Sequence, residues 1–263
     1  MARIAVAATA PFGADVLERL TAEHQVVQLL TRADKPRGRG RRVAPPPAKV
    51  VAEQLGIPVS QSDRLDESVE LAADTVVVCA YGLLIPNELL DRALWLNVHP
   101  SLLPRWRGAA PVERALLAGD DETGVTIHRT VEALDAGPVA AERAFPIGPD
   151  DDAGAVYAKA AEIATELLGG VLLQDEPCFV PQPEEGVTYA EKIRPEDREL
   201  DPDAPAQELV NRVRALSPHI GARLGDLIVW GARVGVDGAF EPLEVQPAGG
   251  RRMAYDAYLR GRR

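Results

Sequence analysis

Asn97, His99 and Asp135 are the side chains of this 263-residue chain whose types and spacing point most directly to chemistry. An amide, an imidazole and a carboxylate together meet the needs of acyl transfer to an amine. One group must stabilise a developing oxyanion, and another must take a proton from the attacking nitrogen. Asn97 offers an N–H that does not titrate. His99 lies two residues on, and the period of two in a strand puts both side chains on one face at a sheet edge. Asp135 stands in the turn sequence Leu-Asp-Ala-Gly-Pro at 134–138. It is suited to orient His99, to fix its protonation state, or to take the amine proton through water. No Ser or Cys stands beside a base, which favours direct transfer over a covalent acyl-enzyme. Each residue alone has an ordinary structural reading, as turn former or packing residue. Their joint occurrence around the segment Asn-Val-His-Pro-Ser-Leu-Leu-Pro-Arg-Trp-Arg-Gly-Ala-Ala-Pro at 97–111 outweighs those readings.

The elements that must position them follow from apolar periodicity. Short apolar runs at 3–8, 26–31, 57–59 and 75–80 suit buried parallel strands. Helical patterns at 14–22, 47–55 and 65–73 lie between them, and a short helix at 86–93, with Pro in its first turn, leads into a strand at 94–98. This alternation predicts an α/β fold, a doubly wound sheet of Rossmann type. Residues 125–131 and 139–145 read as strands joined by the turn that carries Asp135, and 153–173 as a long amphipathic helix. The first strand leads into Ala-Thr-Ala-Pro-Phe-Gly at 8–13, whose single glycine does not make a dinucleotide-phosphate cradle. The expected domains are 1–187, a charged, proline-bearing linker at 188–203, and a small β-rich domain at 204–263, with a helix at 206–215 and strands at 227–234 and 243–245.

Net charge is −11, yet Lys35, Arg37, Arg39, Arg41 and Arg42 fall within eight residues, interleaved with Pro36, Gly38 and Gly40. Such a positive loop at the end of a strand suits a polyanion, with affinity that falls steeply as salt rises. Hydrophobic content of 46% is ample for a core, and no apolar stretch reaches membrane-spanning length. The start shows no cleavable signal, so a cytoplasmic enzyme is expected. Cys79 and Cys178 read as reduced thiols, the four histidines are scattered, and no metal site is expected. No feature calls for more than a monomer. A Trp between two Arg, at 105–107, can pack across its loop with the cations on its face.

The run Ser-Leu-Leu-Pro-Arg-Trp-Arg-Gly-Ala-Ala-Pro resembles the signature of the 10-formyltetrahydrofolate-dependent formyltransferases, in particular those acting on methionyl-tRNA. The likeness extends over nearly the whole chain: Thr9, Pro11 and Phe12; the basic run 34–43; Cys79, Ala80, Tyr81 and Gly82; and the segments 123–127, 186–193 and 243–249. The resemblance implies a formyltransferase domain of Rossmann type followed by an OB-like domain. It implies Asn97, His99 and Asp135 as the catalytic set. Ser101, Leu102, Leu103 and Pro104, with Cys79, Tyr81 and Gly82, are implied to line the folate site. Lys35, Arg37, Arg39, Arg41 and Arg42 are implied to grip the tRNA acceptor stem. The implied reaction moves the formyl group of 10-formyltetrahydrofolate to the α-amine of methionine on initiator tRNA, in support of translation initiation. The alternative is a related folate-dependent formyltransferase or hydrolase acting on a small amine or on water.

Three departures stand out. Ala8 replaces a usual Gly. Pro100 gives the His-Pro-Ser-Leu-Leu-Pro run that is common in relatives such as glycinamide ribonucleotide formyltransferase. Only 235–242 separates two C-terminal strands, where such proteins carry a longer segment, so the barrel is expected to be open or incomplete.

Overall fold

A computed structural model of the chain describes residues 1–37 and 42–261. Its elements run β1 (Arg3–Ala8), α1 (Pro11–Leu20), β2 (Gln25–Thr31), β3 (Lys35–Arg37), β4 (Arg42–Ala44), α2 (Pro47–Gln54) and β5 (Val59–Gln61). There follow β6 (Thr75–Cys79), α3 (Asn87–Leu90), β7 (Leu94–His99), β8 (Arg107–Gly108), α4 (Pro111–Ala118), β9 (Glu122–Arg129), β10 (Val139–Pro146) and α5 (Ala153–Leu172). The chain ends with β11 (Tyr189–Ala190), α6 (Ala206–Leu216), β12 (Ala222–Leu224), β13 (Leu227–Val234), β14 (Phe240–Pro247), β15 (Met253–Ala254) and α7 (Tyr255–Arg260). Two compact units result. One gathers Met1–Arg107, Gly124–Ala144 and Ala158–Val187; the other gathers Gly108–Thr123, Phe145–Tyr157 and Thr188–Arg263.

The first unit is built on a seven-stranded sheet in the order β10-β9-β7-β6-β1-β2-β5. β1, β2, β5, β6 and β7 pair in parallel, and β9 joins β7 antiparallel. The central strands are apolar on both faces, Ile4 to Ala8 and Val76 to Cys79 being buried, as a covered parallel sheet requires. From β1 the order runs outward through β2 and β5, whereas the later strands β6 and β7 lie on its other side. The reversal falls between β1 and β6, the place where open α/β sheets form a crevice at the carboxyl ends of their strands. α1 and α2 start on prolines, whose fixed φ and missing N–H suit a first helical turn.

Residues 65–73 are not the expected helix but a chain of turns. Side chains there replace helical hydrogen bonds. The Asp66 carboxylate accepts the Ser68 N–H at 3.0 Å, and Gln28 of β2 accepts the Ala72 N–H at 3.0 Å and donates to the Glu70 carbonyl at 2.9 Å. Leu65 and Ala73 still enter the core, so the apolar spacing was real and the period misleading. The helix expected at 86–93 shrinks to the turn Asn87–Leu90, and the strand expected at 57–59 begins only at Val59.

In the second unit, β12-β13-β14-β15 form an antiparallel sheet around Leu209, Val213, Leu216, Ala222, Val229 and Val245. The short segment 235–242 makes β13 and β14 a direct hairpin, with Gly238 at φ +82° supplying the left-handed turn residue. Among the described residues the sheet ends at β12 and β15 without closing into a barrel. Among the described residues no helix is long and apolar enough to cross a membrane.

Candidate active site

β7 runs from Leu94 to His99, and its last residues carry Asn97 and His99 to the carboxyl edge of the sheet. The antiparallel register with β9 sets Asn97 opposite His128 and His99 opposite Thr126. Asn97, His99, His128 and Thr126 therefore share one face of the sheet. The turn between β9 and β10 brings Asp135 onto the same face. Asn97 Nδ2 donates to Asp135 Oδ1 at 3.0 Å, and His99 Nδ1 lies 3.7 Å from Asp135 Oδ2. The three residues singled out from sequence thus meet in space.

Hydrogen bonding decides how each imidazole is used. His99 Nε2 lies 2.8 Å from the Trp106 carbonyl, which can only accept, so Nε2 carries the proton and Nδ1 faces the carboxylate. Burial of the ring disfavours its charged form and lowers the His99 pKa below 6.5; the nearby Asp135 charge and the bond to Trp106 oppose that shift. His128 is arranged the other way round. Its Nδ1 donates to the Arg129 carbonyl at 3.0 Å, leaving Nε2 to accept from Asn97 Nδ2 at 3.1 Å. His128 Nε2 also lies 3.6 Å from Asp135 Oδ1.

The Asp135 turn is a strained conformation held from outside. Asp135 has φ +47°, unusual for a residue with a side chain. A Cβ on Gly137 would sit 1.7 Å from the Arg129 carbonyl oxygen, so only glycine fits. Gln182 Nε2 donates to the carbonyls of both Asp135 and Gly137 at 2.8 Å. Gln182 Oε1 in turn accepts from Arg107 Nε at 3.1 Å and Nη2 at 2.6 Å. Arg107 therefore points inward as a brace, while the guanidinium of Arg105 lies 4.4 Å over the Trp106 ring. The stacking expected of both arginines holds for Arg105.

The residues assigned to the folate site divide by burial. Cys79, Tyr81, Ser101 and Leu103 are buried and shape the loops, whereas Gly82, Leu102 and Pro104 reach the surface. Burial pushes the Cys79 thiol well above its ordinary value and the Tyr81 phenol up to about 12, so neither ionises near neutrality. Thr126 Oγ1 ties the loop after β7 together, donating to the Ser101 carbonyl at 2.8 Å and accepting from the Leu103 N–H at 3.2 Å. Ser101 Oγ donates to the Arg105 carbonyl at 2.7 Å. These loops leave the parallel neighbours β6 and β7 at the same edge, beside the topological reversal.

Of the basic run, Lys35 pairs with Asp63 at 3.0 Å and Arg42 opens β4, opposite Arg37 of β3. Arg39 and Arg41 lie outside the described residues. The hairpin base is anchored by Lys49, whose ammonium donates to both Asp34 oxygens at 3.0 Å and to Gln61 at 2.8 Å.

His128 and Gln182 were missed in the sequence. The pattern Thr-Ile-His at 126–128 has the parity of Asn-Val-His at 97–99, but the strand register was needed to align them. Nothing local marks Gln182.

The doubly wound sheet is of the kind this family builds on, and the chain belongs to the formyl transferase family, whose profile matches residues 2–172. Its relatives include the methionyl-tRNA formyltransferase of Halorhodospira halophila, 42% identical over 100% of this chain and 97% of that protein. The methionyl-tRNA formyltransferase of Symbiobacterium thermophilum is 39% identical over 99% of this chain and 93% of that protein. Among solved structures, the methionyl-tRNA formyltransferase of Clostridium thermocellum superposes with a TM-score of 0.65 at 16% identity, covering 94% of this chain and 99% of that one. An N-formyltransferase of Helicobacter canadensis, in complex with folinic acid and dTDP-3-aminofucose, gives 0.69 at 17% identity, covering 97% and 99%. At these identities the structural likeness speaks to the fold alone.

Proposed function

We propose that this chain transfers the formyl group of 10-formyltetrahydrofolate to the α-amine of methionine on initiator tRNA. The observation that carries the reading is the convergence of Asn97, His99 and Asp135 at the carboxyl edge of β7. Kinship with methionyl-tRNA formyltransferases over the full chain supports the acceptor. The basic run 35–42 supports a polyanionic partner on a protein of net charge −11. The folate fits the edge beside Gly82, Leu102 and Pro104, where the loops expose backbone and apolar surface over a buried scaffold. When bound, it supplies the formyl carbon and takes up a proton at N10 as the C–N10 bond breaks.

The residues divide the remaining work. The Asn97 carboxamide lies where the amine and the formyl group meet. The neutral His99 offers Nδ1 as a proton acceptor, and Asp135 stands 3.7 Å away to hold the imidazolium that results. That positive charge stabilises the oxygen on which negative charge develops during attack. The amine proton leaves through the His99–Asp135 pair and returns to the departing nitrogen, so the proton count closes. Burial of His99 fits this cycle, because a ring neutral at rest can accept the proton.

The test compares formyl transfer from 10-formyltetrahydrofolate to charged initiator tRNA, to charged elongator methionyl-tRNA and to free amines. Initiator-selective transfer that collapses in Asn97→Ala and Asp135→Ala supports the proposal. Folate turnover independent of tRNA moves the acceptor to a small amine or water.

A further inference from the structure

Asn97 has two amide hydrogens, and both are spent inside the protein: one on Asp135 Oδ1 at 3.0 Å, the other on His128 Nε2 at 3.1 Å. The alternative orientation of the carboxamide would set its carbonyl against a carboxylate oxygen and against a ring nitrogen whose proton is on the far side, since Nδ1 donates to the Arg129 carbonyl. Only one orientation is therefore compatible with these partners. Among the described residues no donor meets Asn97 Oδ1. The group Asn97 presents is thus an acceptor, not the N–H that oxyanion stabilisation calls for.

We infer that His128 is a positioning residue for formyl transfer: by taking the second Asn97 amide hydrogen it locks the carboxamide so that the carbonyl oxygen meets the acceptor amine. An oxygen there accepts an N–H of the attacking amine and aims the nitrogen lone pair at the formyl carbon. Among the described residues, His128 reaches only Asn97 and the Arg129 carbonyl by hydrogen bonds. Asp135 lies 3.6 Å away, and the His99 ring stands edge-on at 6.3 Å between centroids. The ring is almost fully buried and acts through Asn97, with Val98↔Ile127 pairing between them in the register to keep the strands fixed. This inference rests on the proposed formyl transfer.

The first test is on the wild-type protein and is independent of activity. ¹⁵N shifts of the imidazoles should report His128 as the Nδ1–H tautomer and His99 as the Nε2–H tautomer; an Nε2–H tautomer at His128 overturns the inference. The second test compares His128→Leu, which cannot accept, with His128→Gln, which can. Misplacing Asn97 should lower kcat on the order of 10- to 100-fold in the Leu variant, with the KM for folate nearly unchanged, and Gln should recover much of the loss. Loss of turnover in Asn97→Ala together with full turnover in His128→Leu overturns the positioning role alone. Full turnover in both overturns the underlying reading of the site as well.

Discussion

Replacing Gln182 with alanine should slow the reaction without touching any group that reacts. Gln182 donates two hydrogen bonds of 2.8 Å to the carbonyls of Asp135 and Gly137, and its own oxygen is held by two bonds from Arg107. A typical hydrogen bond contributes about 1 kcal/mol net, so the two bonds on the turn support it by about 2 kcal/mol. The left-handed backbone at Asp135, φ +47°, costs about 1–2 kcal/mol of its own. Removing the brace therefore releases a constraint about as large as the strain it restrains. At about 1.4 kcal/mol per factor of ten, a loss of about 2 kcal/mol changes the population of the correctly placed carboxylate by roughly 30-fold. The assay is single-turnover formyl transfer at saturating folate, alongside folate affinity and thermal melting. The kcat of Gln182→Ala should fall roughly 10- to 30-fold while folate affinity holds and Tm drops by only a few degrees. Gln182→Glu separates the two halves of the brace, because a carboxylate keeps Arg107 yet cannot donate to the two carbonyls. It should lose turnover as the alanine variant does. A kcat within about twofold of wild type in both variants would falsify the idea that the brace places Asp135.

Further outcomes follow from the same geometry. Gly137→Ala puts a methyl 1.7 Å from the Arg129 carbonyl oxygen and should abolish transfer by displacing the Asp135 turn; a crystal structure with the turn unmoved would contradict this. Glu113, half-buried and hydrogen-bonded by the Tyr157 hydroxyl at 2.9 Å, has its pKa raised above 4.5 chiefly by desolvation. The folded state then holds its proton more tightly than the unfolded one, so this contribution to stability is full below pH 4.5 and is lost as pH rises through the raised value. Melting curves of Glu113→Gln should accordingly be flatter across that window and higher at neutral pH. Neutralising Lys35, Arg37, Arg39, Arg41 and Arg42 to Gln should raise the KM for tRNA and flatten its dependence on salt, by nearly one unit of log–log slope for each phosphate no longer neutralised. Transfer to a small amine would be unaffected, and an unchanged salt slope would remove the basic run from tRNA binding.

Much of the frame was legible in the residues themselves. Apolar runs bounded by turn residues placed β1, β2, β6, β7, β9 and β10 within a few positions; for β1, β6 and β9 the reason is burial on both faces, which leaves little freedom in composition. The long helix α5 showed in the same way, through its periodic Ala and Leu positions. Asn97, His99 and Asp135 could be named as candidates because an amide, an imidazole and a carboxylate suit acyl transfer, and they do meet in space. The turns at 65–73 were not legible, since a helical spacing of apolar residues was satisfied instead by Gln28 reaching across from β2. Long-range partners of this kind leave no local trace. The same reason hid His128, which faces Asn97 only through the antiparallel register of β7 and β9, and Gln182, which acts from 47 residues away along the chain. The residues themselves marked most of the strands, the long helix α5 and the candidate reactive groups, because burial and side-chain type are local properties. The tertiary structure decided which imidazole nitrogen carries its proton, which way the Asn97 amide is turned and what holds Asp135 in its strained turn, because each depends on a hydrogen-bond partner from another element.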